Sequence, residues 1–485
     1  MRKLIAKYKL LPIQVRASLW FLICSFLQKG VTTITTPIFT RIMSTSEYGN
    51  YSVFNSWMGI VSIFVTLQLY SGLYEQGLVK FSHDRAIFSS SLQGLNLTLC
   101  MLWTLIYVPF RSFWNNIFSL TTVQMLAMLA LIWTSGVFRF WSAEQRVEYK
   151  YKNLVLITLL VSIFNPVLSV FFVLHSTDKV TARILGLLVA ELFGYTGLFF
   201  TQMHGGKTFY SSKYWKYSIL FALPLIPHYL AQIVLASSDR IMIQKLVGDS
   251  QAGIYSLAYT ISSVMTLFNT ALSQTISPWV YQKIKANKTN EIAGLSYIAM
   301  GVIAGLNLLL IILAPEIVQI FAPPSYYEAI WVIPPVAMSV YFIFMYGFFA
   351  QFEFYFEKKL FIMIASISGA VLNVILNYIF IPIFGYIAAG YTTLVCYIAY
   401  VFGHYFFMKK IVKQYGEANN VYSSKILLGI SLSFILLGFA FSFTYLNQAV
   451  RYSIVAVLIV VSFIYRRRII DIVRMITAKR KRTSD

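Results

Sequence analysis

Apolar stretches of about 20 residues recur along the whole chain, each long enough to cross a hydrocarbon core of about 30 Å. Backbone N–H and C=O groups in lipid must be satisfied within the crossing segment, and these stretches are far longer than a barrel strand. They therefore read as helices. Charge agrees: 12% of the 485 residues are charged and 58% are hydrophobic, with a mean hydropathy of +0.70. Soluble domains carry about 25% charged residues. The expected fold class is an all-α integral membrane protein.

Fourteen spans are expected, near 17–40, 50–71, 87–109, 118–138, 154–174, 182–202, 218–238, 252–276, 292–314, 328–350, 360–381, 386–408, 426–446 and 450–465. With the N-terminus inside, 31 of the 39 lysines and arginines fall in cytoplasmic segments and seven in outer loops, as the positive-inside rule requires. Both termini are then cytoplasmic. The basic lead Met1 to Arg16 reads as a tail and not a signal peptide, because the apolar run after it is long, contains Lys29 and lacks a small-residue cleavage site. Arg466-Arg467-Arg468 and the run Lys479 to Arg482 read as a topology anchor beside anionic lipid, so no nucleic-acid partner is expected. Cys24, Cys100 and Cys396 are odd in number and far apart, and imply no disulfide or metal framework.

The first and seventh spans align as an internal repeat. Thr40-Arg41-Ile42-Met43 matches Asp239-Arg240-Ile241-Met242, and Gly49-Asn50-Tyr51-Ser52 matches Gly253-Ile254-Tyr255-Ser256. The organisation this implies is a tail at 1–16, a six-helix bundle at 17–205, a linker at 206–217, a parallel six-helix bundle at 218–410, two further helices at 411–465 and a basic tail at 466–485. Substrate is expected between parallel repeats of this kind.

The same alignment carries Lys29 onto His228, each twelve residues before its arginine, which is about 18 Å along a helix and near mid-bilayer. Ser25, Lys29, Thr32 and Thr36 form one polar stripe, and His228, Gln232 and Asp239 another. A lysine at the bilayer centre costs about 2.5 to 3.5 kcal/mol on insertion scales. Lys29 either snorkels or pairs with Glu191, or it faces an anionic group in a hydrated cavity. His228 reads equally as a packed histidine or a cavity residue, and Arg41 and Arg240 as helix-end anchors or substrate cations. Asp239 has Arg240 or a neighbouring helix as partner, and Glu353 and Glu357 beside Lys358 and Lys359 read as a solvated cluster. Pro166, Pro224, Pro227, Pro334 and Pro335 are expected to kink their spans.

No ATP-binding loop, H-E-x-x-H zinc motif or acidic loop cluster is present, so no cofactor or metal and no enzyme activity are expected. Transport without a nucleotide is the remaining reading.

Several segments resemble the bacterial polysaccharide transporters, the O-antigen and capsule flippases. They are Pro37 to Met43 with Glu47-Tyr48-Gly49-Asn50-Tyr51, Ser238 to Ile243 with Gly253-Ile254-Tyr255, Leu372-Asn373 to Leu376-Asn377-Tyr378, and Ile381 to Ala389. The resemblance covers essentially the whole chain. It implies the multidrug/oligosaccharidyl-lipid/polysaccharide superfamily fold, with two six-helix bundles around a central cavity and two C-terminal helices. It also implies a bacterial plasma-membrane flippase that moves a polyprenyl-pyrophosphate-linked oligosaccharide outward. Lys29, Arg41, His228 and Arg240 are the positions that could serve its cationic cavity, with Glu191 and Asp239 as ion-coupling groups or charge partners. Membrane lipids, a polysaccharide polymerase and chain-length machinery are the implied partners.

Two rivals make different demands. A cation antiporter of the same superfamily should offer cavity carboxylates, and a polytopic glycosyltransferase or polymerase should carry a long outer loop with acidic or arginine residues. The deep charges here are Lys29, His228 and Glu191, and no loop exceeds roughly 20 residues.

Overall fold

The computed structural model describes residues 12–415 and 421–464, and every regular element among them is helical. The basic C-terminal run and most of the N-terminal tail lie outside the described residues. The chain divides into two compact units, Met1–Gly253 and Ile254–Asp485. The first holds α1 (Ile13–Ile42), α2 (Thr45–Thr66), α3 (Leu73–Lys80), α4 (Arg85–Tyr107), α5 (Arg111–Phe118), α6 (Thr122–Val147), α7 (Tyr151–Leu174), α8 (Lys179–Gly206), α9 (Ser212–Ala222), α10 (Ile226–Leu246) and the start of α11 (Asp249–Ser262). The second continues with α12 (Met265–Lys285), α13 (Ile292–Ile312), α14 (Ala314–Phe321), α15 (Ile333–Tyr355), α16 (Lys359–Phe384), α17 (Ala388–Gln414), α18 (Ser424–Phe443) and α19 (Gln448–Ile464).

Among the described residues, nine helical stretches are long and apolar enough to cross a membrane. The other expected spans fall on α2, α4, α11 with α12, α17 and α19, which are helical but shorter, bent or more polar. Helix starts follow local chemistry. Ser44 caps α2 by accepting the Glu47 N–H, while the Glu47 carboxylate accepts the Ser44 N–H at 2.7 Å; Thr121 and Gln124 build the same reciprocal box on α6. After α4 the chain turns by 99° into the eight-residue α5, whose Phe118 packs on Trp57 with ring centroids 4.7 Å apart. A second eight-residue helix, α14, follows α13.

Prolines act differently from the kinks expected of them. Pro334 and Pro335 stand in the first turn of α15 and need not kink it, because the first turn of a helix has no N–H partner for a proline to remove. Pro224 lies in a 3-10 turn, Leu223–Leu225, that divides α9 from α10, and Pro227 follows in the first turn of α10. Pro166 is the one of the five in a helix interior, that of α7. The span expected at 50–71 is also interrupted: α2 stops at Thr66, and an irregular segment precedes α3.

Candidate functional site

Lys29 lies near the middle of the 30-residue α1. Its ammonium makes no ion pair or hydrogen bond among the described residues. The charged group that acts on it is the Arg240 guanidinium on α10, a second cation. Pairing with Glu191 does not occur. That carboxylate accepts the Thr134 hydroxyl at 2.6 Å and the Ser135 hydroxyl at 3.1 Å, both from α6. The packing of α6 along α8 supplies Glu191 with hydroxyls, so it has no need of a distant ammonium.

Arg41 and Arg240 adopt the same arrangement at the C-terminal ends of their helices. Arg41 Nη1 donates to the Pro37 carbonyl at 2.9 Å, and Arg240 Nη1 donates to the Ala236 carbonyl at 3.1 Å. Each side chain thus folds back four residues along its own helix, about 6 Å toward the N-terminus. A snorkelling anchor would extend the other way. The guanidinium groups instead point back toward the levels of Lys29 and His228.

The polar stripes contribute unevenly. Ser25, Thr32 and Thr36 donate to the carbonyls of Phe21, Gln28 and Thr32, so their hydroxyls are satisfied within α1. Only Lys29 in that stripe needs something from outside the helix. On α10, Gln232 is exposed and Asp239 is 1% exposed, so the two do not share one surface. His228 is half-buried, and its Nδ1 is buried without a hydrogen-bond partner. Between them α1 and α10 carry ammonium, guanidinium and imidazole groups, with no carboxylate paired to Lys29 among the described residues.

Where the sequence repeat aligns Gly49 with Gly253, the structure brings the two residues together within the first unit. A Cβ on Gly49 would collide with the Asp249 carbonyl and one on Gly253 with the Thr45 carbonyl, so only glycine permits this crossing of α2 and α11. Hydroxyls and amides surround it. Thr45 Oγ1 and Ser250 Oγ are 2.6 Å apart, and Gln244 Nε2 donates to Asn50 Oδ1 at 2.6 Å and to Asp249 Oδ1 at 2.9 Å.

The second unit treats its ionisable groups differently. Glu353 is fully buried and accepts from His404 Nδ1 at 2.8 Å, with the rings of Tyr346, Tyr400 and Phe361 around the imidazole. The solvated cluster expected at Glu353 is therefore corrected: α15 packs along α17 and places this carboxylate inside, away from Lys358. Arg451 pairs with Glu316. Asn373, Asn377, Thr392 and Thr393 are buried, and hydrogen bonds join them between α16 and α17.

One cation stands at the boundary of an expected span. The expected span at 118–138 ends one residue before Arg139, whereas α6 continues to Val147 and keeps Arg139 within the helix. Its charge lowers local hydropathy and so ends an apolar window too soon.

Comparison with known proteins adds three findings. The profile of a family described as polysaccharide biosynthesis protein matches residues 15–283, more than half of the chain. Two Haemophilus influenzae proteins, an uncharacterized membrane protein and the Lsg locus putative protein 1, are each 22% identical over 56% of this chain, and the match spans 66% and 67% of their own lengths. Among solved structures, the lipid II flippase MurJ in an inward closed conformation superposes with a TM-score of 0.68, at 15% identity over 92% of this chain and 99% of that one. An inward-facing multidrug resistance transporter of the MATE family, in the MOP superfamily, gives 0.64 at 13% identity over 79% and 96%. A superfamily transporter from Pyrococcus furiosus, described as having a binding pocket of reversed polarity, gives 0.55 at 14% over 82% and 96%. At these identities the likeness concerns the fold: an all-helical membrane protein built like the transporters of this superfamily.

Proposed function

The chain belongs to the polysaccharide biosynthesis protein family, and from that premise we propose that it flips a polyprenyl-pyrophosphate-linked oligosaccharide from the cytoplasmic to the outer leaflet of a bacterial plasma membrane. The observation that carries this reading is Lys29, an ammonium near the middle of α1 on which Arg240 acts and with which no carboxylate pairs among the described residues. Such an arrangement suits a diphosphate. Its binding restores the missing countercharge, and each oxygen gains charge-assisted donors.

The physics follows from the cargo. A diphosphate and several sugars cannot cross hydrocarbon unaided, since each unpartnered buried polar group costs about 2 to 7 kcal/mol. Lys29, His228, Arg41 and Arg240 are proposed to lower that barrier while the prenyl tail stays in lipid. An inside-negative potential then favours outward movement by about 2.3 kcal/mol per elementary charge per 100 mV. In this proposal both termini are cytoplasmic, 17–205 and 218–410 act as two halves of an alternating-access carrier, and the product passes to a polymerase making O-antigen, capsule or a related surface polymer.

A second reading has one observation in its favour. Glu191, held by Thr134 and Ser135 in the first unit, is a carboxylate of the kind that a cation antiporter needs. The two readings part in reconstituted liposomes. Accessibility of a polyprenyl-pyrophosphate oligosaccharide on the opposite leaflet should rise quickly with wild-type protein and slow at least tenfold with Lys29→Ala. Folded protein that transfers none of it, yet moves organic cations with a proton gradient, would establish the antiporter instead.

A further inference from the structure

Residues 67–72 form an irregular segment between α2 and α3, at the end of the span expected over 50–71. Leu67 and Gln68, with φ of 51° and 52°, are adjacent left-handed residues that are not glycine, a conformation maintained only where surrounding contacts hold it. Here the contacts are visible. Ser71 Oγ donates to Gln68 Oε1 at 3.1 Å, and the Tyr229 hydroxyl on α10 donates to the Ser71 carbonyl at 3.2 Å. The break therefore meets α10 at Tyr229, the residue after His228. Non-helical backbone at membrane depth occurs where protein encloses it or where it lines water.

The neighbouring face of α6 decides between those two. Between Thr122 and Val147 only Val123, Leu126, Arg139 and Arg146 are exposed. The open side of α6 is apolar near its start and cationic over its last third, where Arg139 and Arg146, seven residues apart, share a face. Arg139 makes no ion pair and its guanidinium no hydrogen bond among the described residues. The nearest carboxylate that acts on it, Glu191, does so without an ion pair, and an exposed guanidinium left in that state favours water over hydrocarbon, so this side meets water. The guanidinium carbon lies 4.7 Å from the centroid of the Tyr70 ring, which belongs to the break. A guanidinium on a ring face keeps its edge donors free, and that fork matches two phosphate oxygens.

We propose that the 67–72 break and α6 form a phosphate-binding subsite, in which Tyr70 positions Arg139 to hold the diphosphate of the lipid-linked substrate beside His228. The identity of the ligand rests on the function proposed above. The geometry separates the two roles: Arg139 contacts the anion, whereas Tyr70 contributes a ring face and no hydroxyl.

The test uses full-length protein in nanodiscs of neutral lipid, with binding of polyprenyl pyrophosphate, inorganic pyrophosphate and phosphatidylglycerol measured separately. Arg139→Gln should weaken polyprenyl pyrophosphate about tenfold, the scale of one lost charge-assisted contact. Arg139→Lys should recover only part of it, Tyr70→Phe all of it, and Tyr70→Ala should match Arg139→Gln with no further loss in the double variant. Inorganic pyrophosphate should show the same ranking at lower affinity, and phosphatidylglycerol no dependence on Arg139. Equal binding of polyprenyl pyrophosphate by wild type and by Arg139→Gln of unchanged melting temperature would overturn the subsite and leave the flippase standing. Dependence on Arg139 for phosphatidylglycerol alone would overturn it in favour of a lipid anchor. Failure of folded wild type to bind polyprenyl pyrophosphate would overturn the subsite and the proposed function together.

Discussion

Among the described residues of the first unit Lys29 and Arg139 make no ion pair, Glu191 acting on Arg139 only from a distance, whereas in the second Glu353 is closed by His404 and Glu316 by Arg451. Both units carry ionisable groups in apolar surroundings, where an unpaired charge is costly. Paired groups resolve that cost internally and hold helices together. Unpaired groups leave it open, and a ligand of opposite charge can resolve it. The contrast separates a part of the molecule whose charges are closed internally from a part whose charges, on the proposed function, are completed by an anion.

The largest effect should come from opening a closed pair. Glu353→Ala strands the His404 side chain and is expected to destabilise the protein by about 3 to 5 kcal/mol, as for other buried pairs that lose one partner. Unfolding of the purified protein measures this, and Glu353→Leu with His404→Phe should recover most of the loss. An unchanged melting temperature for the single variant would erase the distinction between the units.

Within the first unit the glycine crossing is the packed element. Gly49→Val forces α2 from the Asp249 carbonyl and should cost about 1 to 3 kcal/mol, the range for overpacking. Lys29→Ala should do the opposite of Glu353→Ala: transfer of the lipid-linked oligosaccharide falls about tenfold, roughly 1.4 kcal/mol, while the melting temperature holds or rises. Loss of stability in that variant would mean that Lys29 has a structural partner. The smallest effect is expected from Arg41→Lys and Arg240→Lys, which keep the charge but lose the planar fork; transfer should slow about two- to threefold, and more with Gln at either position.

Much of the architecture was legible in the sequence, because span length and backbone satisfaction are local properties. The cations on α1 and α10 were legible too, through the repeat that aligns Arg41 with Arg240, and the shared fold-back of both side chains agrees with it. The repeat also aligned Gly49 with Gly253, but not that the two touch. Arg139 was hidden by its own charge, which ended an apolar window before the helix ended. The break at 67–72 was hidden because Leu67 and Gln68 carry no turn signal; their left-handed backbone depends on contacts from Ser71 and α10.

By itself the sequence determined that this chain is a membrane-spanning helical protein, since hydropathy and helical periodicity act within one segment. The tertiary structure decided which of its polar side chains are satisfied. Glu353 and His404 stand 51 positions apart and Glu191 lies 57 from Thr134, and whether such groups meet depends on which helix faces pack together. Pairing of charges in a low-dielectric interior is a contact property, and no single segment contains it.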